Sequence, residues 1–148
     1  MIERGVHGLF VLGSTGMGPV MTTEQRIAAA EFVVKQVRRR VPVIMHVGTA
    51  DVQTTVALAK HADGLGVDAV AAVPPFYYTD HTPWEITAHF KTIAAAVKKL
   101  KEEVPSLCGM KASYNPLAQI LAYIATMPPD FSILSGNSLE LFPAVPQA

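Results

Sequence analysis

Cysteine is nearly absent from this 148-residue chain: Cys108 stands alone, so no intrachain disulfide can form and a reducing, cytoplasmic setting is the expectation. Charge is scarce as well, at 16% of residues, and twelve basic side chains balance twelve acidic ones. A net charge of zero gives no field to gather nucleic acid or an anionic membrane, so neither partner is expected. Long apolar runs are missing; the stretch Ala69 to Phe76 is far too short to span a bilayer. Met1-Ile2-Glu3-Arg4 lacks the basic-then-apolar layout of a signal peptide. What the chain does have is a hydrophobic share of 50%, ample for a packed core, at a length suited to a single soluble domain over 1–148.

That apolar content is organised. Five short β-type runs, Gly8–Leu12, Val43–Val47, Ala69–Val73, Leu107–Lys111 and Phe131–Ser135, predict buried parallel strands. Helix signals lie between them. Thr22 and Gln25 form a capping box ahead of Ile27, Ala30, Val34 and Val37, and Thr82-Pro83-Trp84-Glu85 joins an N-cap, a first-position proline and a reciprocal Glu. Asp51 caps a helix that ends at Leu65-Gly66, while Asn115-Pro116 opens one carrying Leu117, Ile120, Leu121 and Ile124, closed by Pro128-Pro129. Alternating strands and helices predict the α/β class.

Strand starts at 8, 43, 69, 107 and 131 leave intervals of 35, 26, 38 and 24 residues. The third interval is the longest and contains the charged tract Lys98–Glu103, which predicts either one extended helix or a junction near 98–104 where something is missing. A (β/α)8 barrel takes roughly 200 residues or more, so five strands do not close one.

Gly13-Ser14-Thr15-Gly16-Met17-Gly18 follows a strand and precedes a helix, where backbone amides and two hydroxyls can hold a carboxylate or phosphate. Such turns also arise for steric reasons alone. The loop lacks the Gly-Lys-Ser/Thr ending of a P-loop and the GxGxxG spacing of a dinucleotide fingerprint, so nucleotide binding is not expected. Lys111 ends an apolar run, sharing a strand face with Leu107 and Gly109. A lysine withdrawn from water loses its proton more easily, and a neutral amine attacks a ketone to give a Schiff base; the plainer reading is a lysine snorkelling at a strand end. Pro74-Pro75-Phe76-Tyr77-Tyr78 puts aromatics past another strand's C-terminal end, as pocket lining or as a subunit contact. His46 has no second ligand at metal spacing, so no metal site is expected and it reads as a core or pocket-rim histidine; Arg38-Arg39-Arg40 finishes a helix, where cations suit the dipole.

Together these pieces resemble the dihydrodipicolinate synthase/N-acetylneuraminate lyase family of Schiff-base aldolases. The resemblance rests on Gly5-Val6-His7-Gly8 with Gly13-Ser14-Thr15-Gly16, Pro74–Tyr78, Gly109-Met110-Lys111-Ala112-Ser113 and Leu134-Ser135-Gly136-Asn137. It implies an incomplete TIM (β/α)8 barrel with five of eight strands recognisable: the second, third, fourth, sixth and seventh. By the same resemblance Lys111 is the Schiff-base lysine, Gly13, Ser14 and Thr15 hold the carboxylate of pyruvate or a related 2-oxo acid, and Tyr77 matches an aromatic that reaches across a dimer contact in some members. No cofactor or metal is implied, and a homo-oligomer is.

The departures from the family are equally specific. A strand carrying a Tyr-Asn-x-Pro-like segment, whose tyrosine moves protons at the imine, has no counterpart between Ala96-Val97-Lys98 and Glu103-Val104-Pro105-Ser106. By the resemblance the family's first strand and helix are expected to be absent before Met1 and its eighth strand after Ala148; Met17 replaces a usual Glu, and Asn137-Ser138 stand where sialic-acid lyases carry acidic residues. The expectation is a 2-oxo acid aldolase or lyase by family, with weak activity in this chain. The competing readings are a non-catalytic fragment acting by subunit association and a simple anion-binding α/β domain.

Overall fold

The Val-, Ile- and Leu-rich runs do pair, and in parallel. A computed structural model describes residues 1–77, 80–96, 109–112, 125 and 132–135. The chain divides into two compact units, Met1–Val104 and Pro105–Ala148.

In the first unit β1 (Leu9–Val11), β2 (Val43–His46) and β3 (Ala69–Ala71) form a three-stranded sheet in the order β1-β2-β3. Leu9 lies opposite Val43 and Val11 opposite Met45, while Ile44 lies opposite Ala69 and His46 opposite Ala71. A sequential parallel order belongs to a sheet wound in one direction, whereas doubly wound sheets reverse their order at a switch point. The period of two then separates the faces. Leu9, Val11, Val43, Met45 and Val70 join one core with Ala30 and Val37 of α1 (Thr23–Val37) and Leu58, Ala59 and Ala62 of α2 (Val52–Leu65). Met45 and Val47 are fully buried, each worth about 1.5–3 kcal/mol of apolar transfer. Phe10, on the other face, remains 38% exposed.

Local chemistry sets the helix starts. Thr22 Oγ1 accepts from the Gln25 N–H at 3.3 Å and Gln25 Oε1 accepts from the Thr22 N–H at 2.9 Å, closing the expected capping box. The Asp51 carboxylate accepts from the Thr54 N–H at 2.7 Å and starts α2. Ahead of α3 (Pro83–Ala96), Thr82 Oγ1 takes the Glu85 N–H while Glu85 Oε2 takes the Thr82 N–H at 2.8 Å. Gly66 ends α2 at φ 72°, the left-handed cap predicted for it. Arg38-Arg39-Arg40 finishes α1 as expected: Arg38 and Arg39 both lie in the left-handed region past Val37, and the Arg40 guanidinium folds back to donate to the Gln36 and Val37 carbonyls. The Asp68 carboxylate takes the Val43 N–H at 2.8 Å, pinning the entry of β3 against β2.

In the second unit β4 (Gly109–Ala112) and β5 (Ser132–Ser135) pair in parallel, Gly109 opposite Ser132 and Lys111 opposite Leu134. The expected helix from Asn115-Pro116 to Ile124, the Pro128-Pro129 stop, Cys108, Ser113, Gly136-Asn137 and the whole junction tract at 98–104 lie outside the described residues.

Candidate active site

β1 delivers the glycine turn. Leu12, directly after the strand, takes φ 61° with its side chain buried, a conformation that costs about 1–3 kcal/mol and is held by its place in the core. The chain doubles back on two backbone bonds: Met17 N–H to the Ser14 carbonyl at 3.0 Å and Gly18 N–H to the Gly13 carbonyl at 3.2 Å. A Cβ at position 18 would overlap the Leu12 carbonyl oxygen, so only glycine closes this turn. Ser14 and Thr15 sit at its exposed tip, and among the described residues no hydrogen bond engages either hydroxyl. Two free hydroxyls on a turn fixed at its base can receive a carboxylate.

The loop after β2 is fixed by a residue that motif reading passed over. Arg26, in the first turn of α1, is 3% exposed, and its guanidinium donates to the His46 carbonyl at 2.6 Å and the Gly48 carbonyl at 3.0 Å. Burial pushes its pKa below the usual arginine value, and its Nε has no partner among the described residues. A charged residue in the stripe of buried positions 26, 30 and 37 was the signal in the sequence. Arg26 also walls a cavity of about 570 Å³ between the starts of α1 and α2, with Glu24, Thr49, Asp51 and Phe76. The Thr54 N–H holds the Asp51 carboxyl below the ordinary carboxylate range; the Glu24 backbone N–H and the Thr22 hydroxyl do the same for Glu24. These two ionised groups already occupy the positive helix ends. Ser14, Thr15 and Tyr77 are not among the walls.

Tyr77 follows β3 and is 76% exposed, next to the half-exposed Phe76. Because β1 and β3 are parallel members of one sheet, its loop and the glycine turn leave from the same end. His46 is buried with its ring 6.2 Å from that of Phe10, as a rim or core histidine would be. Lys111 belongs to the second unit, as the third residue of β4, and is exposed. Among the described residues no group of His, Cys, Asp and Glu is arranged to hold a metal, and no helix is long and apolar enough to cross a membrane.

Residues 1–101 match the Dihydrodipicolinate synthetase family, and the chain belongs to it. The 4-hydroxy-tetrahydrodipicolinate synthase of Bacillus subtilis is 32% identical over 165 residues, covering 97% of this chain and 57% of the enzyme. An uncharacterised DapA-like lyase of Halobacterium salinarum is 39% identical over 132 residues, 86% of this chain and 42% of that protein. The chain therefore spans about half the length of the curated relatives it matches. Among solved structures, the Escherichia coli prophage protein YagE, of the dihydrodipicolinic acid synthase family and in complex with pyruvate, superposes with a TM-score of 0.86 at 27% identity, over 97% of this chain and 56% of its own. CdNal from Clostridium difficile, in complex with mannosamine, gives 0.85 at 27% identity over 94% of this chain and 55% of its own.

Proposed function

We propose that this chain carries the 2-oxo acid-binding and imine-forming groups of a Schiff-base lyase, in a cytoplasmic homo-oligomer. Its residues 1–148 represent the second, third, fourth, sixth and seventh strands of one partial (β/α)8 barrel. The observation that carries the reading is the glycine turn: in a chain of this family, two unengaged hydroxyls stand on a strained loop at the C-terminal end of a parallel strand. TIM-barrel enzymes keep their chemistry at that end. Gly13, Ser14 and Thr15 receive the carboxylate of pyruvate or a related acid, and Tyr77 lines the same end of the sheet.

The Lys111 amine attacks the keto carbon; the carbonyl oxygen leaves as water after proton transfer, and the protonated imine remains. The imine draws electrons from the adjacent carbon, whose proton is lost to give an enamine that adds to an aldehyde; cleavage is the reverse. No counterpart of the family's proton-handling tyrosine is found, so turnover is expected to fall by about 10²–10⁴-fold against a complete relative. The test is borohydride reduction in the presence of pyruvate, followed by mass mapping. A reduced pyruvate adduct on Lys111, lost in Lys111→Ala, is the expected result. An adduct that persists in Lys111→Ala, or no adduct in the unaltered chain, rejects the assignment.

A further inference from the structure

Gly13 opens the glycine turn, and the reason it is a glycine lies beneath it. Of the described glycines only Gly5 and Gly66 take a positive φ, so the backbone at Gly13 needs no special freedom. It needs space. A Cβ at position 13 would stand 2.8 Å from Cε1 and 3.1 Å from Cδ1 of Phe10, well inside the roughly 3.5–4.0 Å at which two carbons rest. The Phe10 ring therefore lies directly against the first residue of the turn. Phe10 stands apart from the helix-packed core, because the period of two sends it to the sheet face opposite Leu9 and Val11. On that face the ring of His46 lies beside it, centroids 6.2 Å apart and planes tilted by 42°. The arrangement repeats one strand along: a Cβ at Gly48 would come 3.2 Å from Cε1 of His46 and 3.0 Å from the backbone N of Val73. The exits of β1 and β2 thus each carry a glycine that makes room for an aromatic ring of the same strand.

We propose that Phe10 is the positioning residue of the glycine turn: its ring is the floor on which Gly13 rests, and it sets where Ser14 and Thr15 present their hydroxyls to a carboxylate. The inference rests on the reading of the turn as a carboxylate receiver, and not on the imine step. Two backbone bonds transmit the effect. The Gly13 carbonyl accepts from the Gly18 N–H at 3.2 Å and the Ser14 carbonyl from the Met17 N–H at 3.0 Å, so a displacement of Gly13 moves both closures. The base of the turn is fixed independently, since Gly18 is pressed against the Leu12 carbonyl and Leu12 is buried. With the base fixed, the ring decides where the tip stands. His46 backs the ring on the side of β2, and its carbonyl is held by the Arg26 guanidinium at 2.6 Å, which ties this floor to α1. A binding group displaced by 1 Å loses on the order of 10²-fold in effect, so a contact this close has a measurable consequence.

Two changes of size test the contact against each other. Gly13→Ala puts a methyl where the ring lies, Phe10→Val removes both ring carbons that face it while keeping a strand-forming residue, and the double variant exchanges the ring for the methyl. Pyruvate binding is read as a half-saturating concentration, by ligand-observed NMR, which needs no imine, and by borohydride trapping. Each single variant is expected to raise that concentration, and the double variant to bind better than the product of the two changes by roughly 2- to 100-fold, the range for residues in contact. Where Phe10→Val melts below the titration temperature, Phe10→Leu, which lacks Cε1, takes its place. A purely structural role would lower the folded fraction, read from thermal melts, and leave the half-saturation of the folded chain unchanged. That outcome overturns the proposal, as do two effects that simply multiply. An unaltered chain that binds pyruvate by NMR and forms no adduct rejects the imine reading, and the NMR values still decide the role of Phe10. No pyruvate binding by either measurement rejects the turn as a carboxylate receiver, and the role of Phe10 with it.

Discussion

A buried cation facing carbonyls rather than a carboxylate is costly, and Arg26 offsets part of that cost by donating from Nη1 and Nη2 to two carbonyls at the end of β2. Arg26→Met keeps the apolar bulk and removes the donors to the His46 and Gly48 carbonyls. We expect a loss of about 1.5–3 kcal/mol for each charge-assisted hydrogen bond removed, read from denaturant midpoints with an unchanged slope. Gly18→Ala acts on the turn itself. The new methyl meets the Leu12 carbonyl, so the turn opens at a cost of about 1–3 kcal/mol and the yield of trapped pyruvate falls with it. Equal trapping in Gly18→Ala would show that Ser14 and Thr15 do not need this geometry. The glycines of the turn were legible as a motif. The left-handed φ at Leu12 and Met17 was not, because it follows from how the strand is anchored in the core and not from either residue's own preference.

Helix boundaries were legible for the opposite reason: a cap is a contact between residues three apart, so its whole cause lies in the local sequence. Thr22 with Gln25, Asp51 with Thr54 and Thr82 with Glu85 all form as the pattern predicts. Strand lengths were less so. β1 runs only from Leu9 to Val11 because Leu12 turns out of the strand, and β3 stops at Ala71, short of Pro74-Pro75. The caps also carry a pH dependence. Asp51 has its pKa lowered in the folded chain by the Thr54 N–H, so its contribution is fully present above the unfolded value of 3.8 and is lost as pH falls through the folded one. Asp51→Asn keeps the cap and removes the charge at the positive end of α2. We expect Asp51→Asn to be less stable by about 0.3–1 kcal/mol at neutral pH. The two chains should converge in thermal melts as pH drops below about 3.8, the unfolded carboxylate value. A constant difference down to the lowest pH measured would assign the effect to something other than the ionised carboxylate.

At the scale of the chain, the parallel α/β class follows from five apolar runs and their spacing, and the sequential β1-β2-β3 order agrees with it. The long third interval flagged the connection in which the family match stops, but periodicity cannot tell an extended helix from a lost unit, since both leave a charged stretch between two strands. Restoring the missing length separates the two. If an omission leaves the β3 edge open, grafting into the 98–104 connection the B. subtilis segment that has no counterpart here supplies a strand to that edge within the same chain. The grafted chain is then expected to melt at a higher temperature and to bind less of a dye that reports apolar surface, because the edge and its flanking residues Val73 and Phe76 are covered. Equal melting and equal dye uptake with and without the graft would mean that nothing is missing from the 98–104 connection and that one extended helix fills the interval.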